Sequence, residues 1–159
     1  MAVNSSLNSK LVGKYSVSNC ECIFVDIYLN GSTFIRYGTV YRPPNASYEE
    51  SIEMFSVIYE NVVNVNNFVL LGDFNLPDIN WDNLTASTQV SREFLTTCFR
   101  IGAHQCVSFP TRLNNITDLV LCSNRNLIQD IHASAPFSTS DHDIINVYVV
   151  PHNKHKSQF

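Results

Sequence analysis

Three short polar clusters combine residue types that can act together on a phosphate ester or hold a metal ion. Asp73 and Asn75 stand two positions apart at the end of an apolar run, Asp118 begins another apolar run, and Asp141 and His142 precede the last one. A carboxylate can take up a proton or bind a divalent cation, and an imidazole exchanges protons near neutral pH. An amide can orient a water molecule. These residue types are those expected of a hydrolytic site.

The predicted strands place the clusters at strand ends. The apolar run 68–71 (FVLL) predicts a strand buried on both faces, so Asp73 and Asn75 leave it at its carboxyl end, where α/β sheets bind ligands. Asp118 opens a strand, an unfavourable place for an unpaired charge. We therefore expect it to bond to His142 and fix its tautomer. Taken alone, the first cluster is better explained by an ordinary turn and the last by a capped turn, and a strand-initiating Asp would account for Asp118.

Hydrophobic periodicity predicts strands interleaved with two helices. A Ser47–Glu50 capping box starts the first helix near Tyr48, and a second helix is expected over 90–101. This order is typical of an α/β or α+β layered sandwich. The predicted strands cover 22–29, 34–41, 68–71, 104–107, 118–122, 127–133 (the weakest) and 144–150. The residues expected on the core side of the second helix are Phe94, Leu95, Cys98 and Phe99.

The charge and cysteine content narrow the class of protein. The formal net charge of −4 argues against a module that binds DNA by bulk positive charge, but less against an enzyme whose carboxylates hold a metal. The five cysteines include no C-x-x-C pair, so free thiols in a reducing compartment are favoured over a zinc site. No signal peptide or membrane-spanning run is visible. We expect an intracellular protein, nuclear or cytoplasmic, without a membrane partner.

The motifs, taken in order, resemble the C-terminal series of the endonuclease/exonuclease/phosphatase superfamily. YRPPN at 41–45 precedes a helix, GDFNLPDINW stands at 72–81, PTR and DLVL stand between 110 and 121, and SDHD occupies 140–143. The last motifs are specifically similar to the apurinic-type endonuclease of non-LTR (LINE-like) retrotransposons. The resemblance runs from about residue 20 to residue 150. It implies a layered α/β sandwich of two packed mixed sheets flanked by helices.

The resemblance also implies a role for each matching residue. Asp73 would be the acid/base carboxylate beside the attacking water, and Asn75 would help to orient that water. His142 would contact the scissile phosphate with Asp118 as its partner, and Tyr41 would touch the same phosphate.

Further implied roles concern the cation and the substrate. Asp141 would be a ligand, or a neighbour, of a Mg²⁺ or Mn²⁺ ion, while Asn45 and Thr111 would position the substrate. Water would attack a DNA phosphodiester in line and leave a 3′ hydroxyl that primes reverse transcription. The implied partners are DNA and, in an intact element, a downstream reverse transcriptase domain.

The resemblance is incomplete at its beginning. The superfamily domain starts with an Asn motif and a metal-binding Glu motif, and residues 1–19 resemble neither. We therefore expect a polar leader over 1–19, a partial domain over 20–150 and a polar tail over 151–159. Two alternatives stay open at this point: a non-catalytic remnant, and a cellular repair nuclease or phosphatase of the same superfamily.

Overall fold

The computed structural model describes residues 1–150, which form ten strands, two α-helices and one short 3-10 helix, Arg125–Leu127, in three layers. Two helices cover one face of a six-stranded sheet, and a two-stranded antiparallel sheet packs on the other face. The strands are β1 Ser9–Val17, β2 Cys20–Asn30, β3 Thr33–Tyr41, β4 Phe68–Asp73, β5 Ile79–Asn80, β6 Thr85–Ala86, β7 His104–Gln105, β8 Asp118–Cys122, β9 Ile128–Ser134 and β10 Ile144–Val149. The helices are α1 Tyr48–Val62 and α2 Gln89–Arg100.

The order of the main sheet, β1-β2-β3-β4-β8-β7, brings the sequence motifs to one edge. Strands β3 and β4 pair in parallel, so Tyr41 lies opposite Asp73. Strands β4 and β8 pair antiparallel, so Asp73 also lies opposite Asp118. The last residues of two strands and the first residue of a third therefore meet, although they are distant in the sequence.

Two hydrophobic clusters hold the layers together, one on each face of the sheet. Between the sheet and the helices lie fully buried aromatic rings, including Phe24, Phe74 and Phe94. Between the sheet and the β9–β10 pair lie mainly aliphatic side chains, such as Val69 and Val120. Neighbouring residues of β4 thus enter opposite clusters, as predicted for a strand buried on both faces.

The predicted α/β layered sandwich is confirmed, with the second sheet reduced to the β9–β10 pair in residues 1–150. The predicted capping box is present: the Ser47 hydroxyl accepts from the backbone N–H of Glu50, and the Glu50 carboxylate accepts from that of Ser47. The second helix agrees with its prediction to within one residue at each end. The prediction that Phe99 faces the core was wrong, because its side chain is 86% exposed.

The expectation of a polar leader over 1–19 is wrong for residues 9–17, which form β1. This strand pairs antiparallel with β2 from Ser9 to Val17, with a bulge between Leu11 and Gly13. It is an edge strand whose residues are exposed or only half-buried, so its sequence carries little apolar signal. The short β5–β6 hairpin was not among the predicted strands. The predicted tail over 151–159 lies outside the described residues.

No helix within residues 1–150 has the length and apolar character needed to cross a membrane.

Candidate active site

A glycine sets the geometry at the end of β4. Gly72 has φ = 151°, and a Cβ atom added to it would lie 1.8 Å from the carbonyl oxygen of Val40. Only glycine therefore allows β3 and β4 to approach this closely. Two residues later Phe74 is fully buried, and its N–H donates to the carbonyl oxygen of Thr117. This anchor fixes Asp73 between the sheet edge and the core.

Asn75 holds the Asp73 carboxylate from two sides. Its backbone N–H donates to Oδ1 of Asp73 at 3.1 Å, and its Nδ2 donates to Oδ2 at 2.6 Å. Nδ2 also donates to the carbonyl oxygen of Arg42 at 2.9 Å, so both amide hydrogens are used. The side-chain carbonyl oxygen of Asn75 is left as an acceptor. Its φ of 48° is one that Asn tolerates better than most residues.

Arg42, which was not among the residues predicted for the site, lies behind this turn and is 4% exposed. Its guanidinium donates to the Ser51 hydroxyl at 2.9 Å and to the carbonyl oxygen of Asn75 at 3.2 Å. Its backbone N–H donates to the carbonyl oxygen of Asp73. Burial lowers the pKa of Arg42, while nearby acids, Asp73 among them, oppose that effect. Its position inside the YRPPN motif was the only sequence signal for this role.

His142 and Asp118 form the expected pair. Nδ1 of His142 lies 2.8 Å from Oδ2 of Asp118, and their side chains are 24% and 19% exposed. A carboxylate on one ring nitrogen fixes the tautomer and leaves Nε2 for other contacts.

Thr111 positions this pair from beneath. Its hydroxyl accepts hydrogen bonds from the backbone N–H groups of Thr117 at 3.1 Å and Asp118 at 3.0 Å. Its carbonyl oxygen accepts from the N–H of Asp143 at 2.9 Å. Thr111 is fully buried, so the expectation that it contacts the substrate is wrong, and its contacts are structural. It ties the start of β8 to the segment that carries His142.

Asp73, Asp118 and His142 form one cluster, in which one potential ligand atom from each residue lies within 4.8 Å of the others. Burial raises the pKa of Asp73, and the charge of Asp118 adds to this, against the opposing effects of His142 and Asn75. A cation here would relieve the repulsion between the two carboxylates. Two carboxylates and an imidazole suit Mn²⁺, and the carboxylates alone suit Mg²⁺.

The structure does not bring Asp141 into this cluster. Its Oδ2 accepts a hydrogen bond from Nε of Arg112 at 2.8 Å, while its Oδ1 lies 3.9 Å from Nε2 of His142. The hydrogen bond from Arg112 lowers the pKa of Asp141. The side chain is 53% exposed and stands at the rim of the site. Arg112, a cation beside the cluster, was not singled out by sequence, although the PTR motif contains it.

Tyr41 and Asn45 are exposed at the end of β3 and in the loop that follows it. Tyr41 ends β3 opposite Asp73 and is 47% exposed, and Asn45 is exposed in the following loop. Neither side chain makes a hydrogen bond within residues 1–150, so both are accessible to a substrate.

Residues 35–146, more than two thirds of the chain, match the model of the endonuclease-reverse transcriptase family. The chain belongs to that family. The matched segment of this family member runs from β3 into β10 and includes every member of the Asp73, Asp118 and His142 cluster.

Solved structures confirm the fold of the family member. The endonuclease domain of TRAS1, a telomere-specific non-LTR retrotransposon, is 16% identical with a TM-score of 0.69, over 94% of this chain and 72% of that one. The 3′-5′ exonuclease NExo from Neisseria meningitidis is 15% identical with a TM-score of 0.58, over 79% of this chain and 64% of that one. No curated protein matches the chain by sequence.

Proposed function

We propose that this protein hydrolyses phosphodiester bonds of DNA with a divalent cation, as the nicking endonuclease of a non-LTR retrotransposon. The observation that carries the proposal is the cluster of Asp73, Asp118 and His142, with ligand atoms within 4.8 Å of one another. Membership of the endonuclease-reverse transcriptase family supports it. The nick would leave a 3′ hydroxyl from which a reverse transcriptase domain, the partner implied by the family, could extend.

The carboxylates of Asp73 and Asp118, each offering one oxygen to the cluster, are the groups that would hold Mg²⁺ or Mn²⁺. Bound there, the cation would neutralise negative charge on the phosphate oxygens and make a nearby water more acidic.

Asp73 is the proposed proton acceptor for the attacking water. One oxygen of its carboxylate belongs to the cluster, and the other oxygen would take up the proton. Asn75 keeps the carboxylate in one orientation through two hydrogen bonds. The remaining carbonyl oxygen of Asn75 can accept a hydrogen bond from the same water and so orient it.

His142 is the proposed phosphate contact. Its Nδ1 lies 2.8 Å from Oδ2 of Asp118, and its Nε2 would donate a hydrogen bond to a phosphate oxygen. Arg112 is a second cation for the substrate, because Asp141 binds its Nε and no acceptor within residues 1–150 binds its terminal nitrogens. Tyr41 and Asn45, both exposed, would contact the DNA backbone.

The alternative of a 3′ phosphatase or repair nuclease has a specific observation in its favour. A 3′ phosphatase from Neisseria, solved with a product DNA hairpin, shares the fold with a TM-score of 0.57. The family model and the higher TM-score of 0.69 for the TRAS1 domain favour the nicking endonuclease.

The test is the conversion of supercoiled plasmid to open circles by the purified chain, in Mg²⁺ or Mn²⁺ and in chelator. We expect cation-dependent nicking that falls by about 10²–10⁴-fold in Asp73→Asn and His142→Ala. His132→Ala is the matched control, because His132 makes the same 2.8 Å contact with Asp130 on the exposed surface.

Three outcomes would count against the proposal. Equal nicking by wild type and Asp73→Asn would remove the cluster from catalysis. Release of phosphate from a 3′-phosphorylated oligonucleotide, without plasmid nicking, would support the phosphatase. Inactivity of the wild type on both substrates in both metals would support a non-catalytic protein.

A further inference from the structure

A pair of cysteines lies apart from the candidate active site. Cys106 directly follows the edge strand β7, and Cys122 ends β8. Their Sγ atoms are 3.3 Å apart. The backbone holds them in place, because His104 pairs with Cys122 and the N–H of Cys106 donates to the carbonyl oxygen of Val120 at 2.9 Å. The sulfurs need to approach by only about 1.2 Å to reach the length of a disulfide bond.

The two thiols have unequal surroundings. Cys106 is half-buried and lines a surface groove of about 860 Å³ between α2 and β7. Cys122, on the neighbouring inner strand β8, is fully buried. The hydrogen bond from the Cys122 thiol lowers the pKa of Cys106, and Arg125 acts in the same direction against burial. The same hydrogen bond, with burial, raises the pKa of Cys122. Cys106 is therefore the accessible nucleophile and Cys122 the thiol behind it.

The other three cysteines differ from this pair. Cys20, Cys22 and Cys98 are buried, and no sulfur–sulfur contact involves them within residues 1–150. Burial raises the pKa of all three, to about 11 for Cys22 and about 12 for Cys98. They serve as internal references in the same molecule.

We propose that Cys106 and Cys122 form a thiol–disulfide site, at which a hydroperoxide oxidises Cys106 and Cys122 then closes a disulfide between β7 and β8. This proposal does not depend on the proposed nuclease activity. The disulfide would close a loop over residues 107–121, which contains Thr111, Arg112 and Asp118.

The chemistry balances with hydrogen peroxide as the oxidant. The Cys106 thiolate attacks one peroxide oxygen, the O–O bond breaks, and the leaving hydroxide takes up the thiol proton as water, which leaves a sulfenic acid. The sulfur of Cys122 then attacks the sulfur of Cys106, and the S–O bond breaks. The hydroxyl group leaves with the Cys122 proton as a second water. The two thiols are oxidised together by two electrons, and one peroxide is reduced.

The experiment treats the reduced full chain with about one equivalent of hydrogen peroxide and maps its cysteines by mass spectrometry. We expect an intact mass lower by two hydrogen atoms, a Cys106–Cys122 cross-linked peptide and alkylation of Cys20, Cys22 and Cys98 alone. Dithiothreitol should restore all five thiols.

Two variants separate the steps. Cys122→Ser should stop at the sulfenic acid, which dimedone labels at Cys106, and Cys106→Ser should yield neither product. Cys98→Ser is the control and should form the disulfide as wild type does. The mapping of wild type requires no variant to fold. A cross-link between other cysteines, or dimedone labelling at Cys98 in place of Cys106, would overturn the proposal, as would survival of both thiols in excess peroxide.

Discussion

The Asn75 amide donates one hydrogen bond of 2.6 Å to the Asp73 carboxylate and another to the backbone of Arg42. Asn75→Ala removes both and leaves a buried carbonyl oxygen without its donor. We expect a loss of about 1–3 kcal/mol in the free energy of unfolding, measured in urea. The same change removes the side-chain hydrogen bond that lowers the pKa of Asp73, so that pKa should rise further. Asn45→Ala, at an exposed position, is the control, and equal losses in the two variants would contradict the prediction.

The buried Thr111 hydroxyl gives a second prediction. Thr111→Val keeps the shape but leaves the N–H groups of Thr117 and Asp118 without an acceptor. Unfolding should become easier by about 2 kcal/mol or more, as thermal denaturation can measure. Thr96→Val, on the exposed side of α2, should change stability little. Unchanged stability in Thr111→Val would mean that this hydroxyl does not hold the start of β8.

Arg112 allows the effects on stability and on DNA binding to be separated. Its ion pair with Asp141 lies at the solvent-exposed rim, so Arg112→Ala should change the free energy of unfolding little. If Arg112 contacts a phosphate, DNA affinity falls and the dependence of log K on log salt loses about one unit of slope. Arg92→Ala removes an exposed charge on α2 and should leave that slope unchanged. Identical salt slopes for the wild type and Arg112→Ala would remove Arg112 from the interface.

The lowered pKa of Asp78 predicts how the free energy of unfolding depends on pH. Partial burial raises its pKa, but hydrogen bonds from Ser91, Thr88 and Ser87 outweigh this and lower the pKa from 3.8 to about 2. Since folding lowers the pKa, the stabilisation is complete above the unfolded value and is lost as the pH falls through about 2. Asp78→Asn should therefore be less stable than wild type at pH 7, and the difference should shrink below pH 4.

Asp82→Asn provides the control for that titration, since the Asp82 carboxylate accepts no hydrogen bond within residues 1–150. Urea unfolding of both variants between pH 7 and pH 2 measures the effect. A difference between wild type and Asp78→Asn that grows on acidification would have the wrong sign.

Much of the fold follows from local sequence signals. The Ser47 capping box, the apolar run of β4 and the helical periodicity of α2 each act over a few residues, so they can be found without tertiary information. Phe99 shows the limit of this approach. It follows the buried Cys98 by about 100° of helical rotation, and the neighbours of α2 decide which of the two is covered.

Part of the candidate site could also be predicted from the sequence, and part could not. The pairing of Asp118 with His142 followed from the cost of an unpaired charge at a strand end, and the structure confirms it. Adjacency of Asp141 and His142 in the sequence does not tell which of them turns inward. The structure turns Asp141 toward Arg112, 29 positions away, and no local pattern encodes such a contact.

The three donors of the cluster come from β4, β8 and the segment before β10, and only the folded chain brings them together. The unfolded chain offers isolated carboxylates, which bind divalent cations weakly. A cation that occupies this cluster must therefore favour the native state by mass action, and its concentration will shift the unfolding midpoint. The melting curve thus becomes a binding isotherm, from which the affinities for Mg²⁺ and Mn²⁺ can be ranked without any DNA.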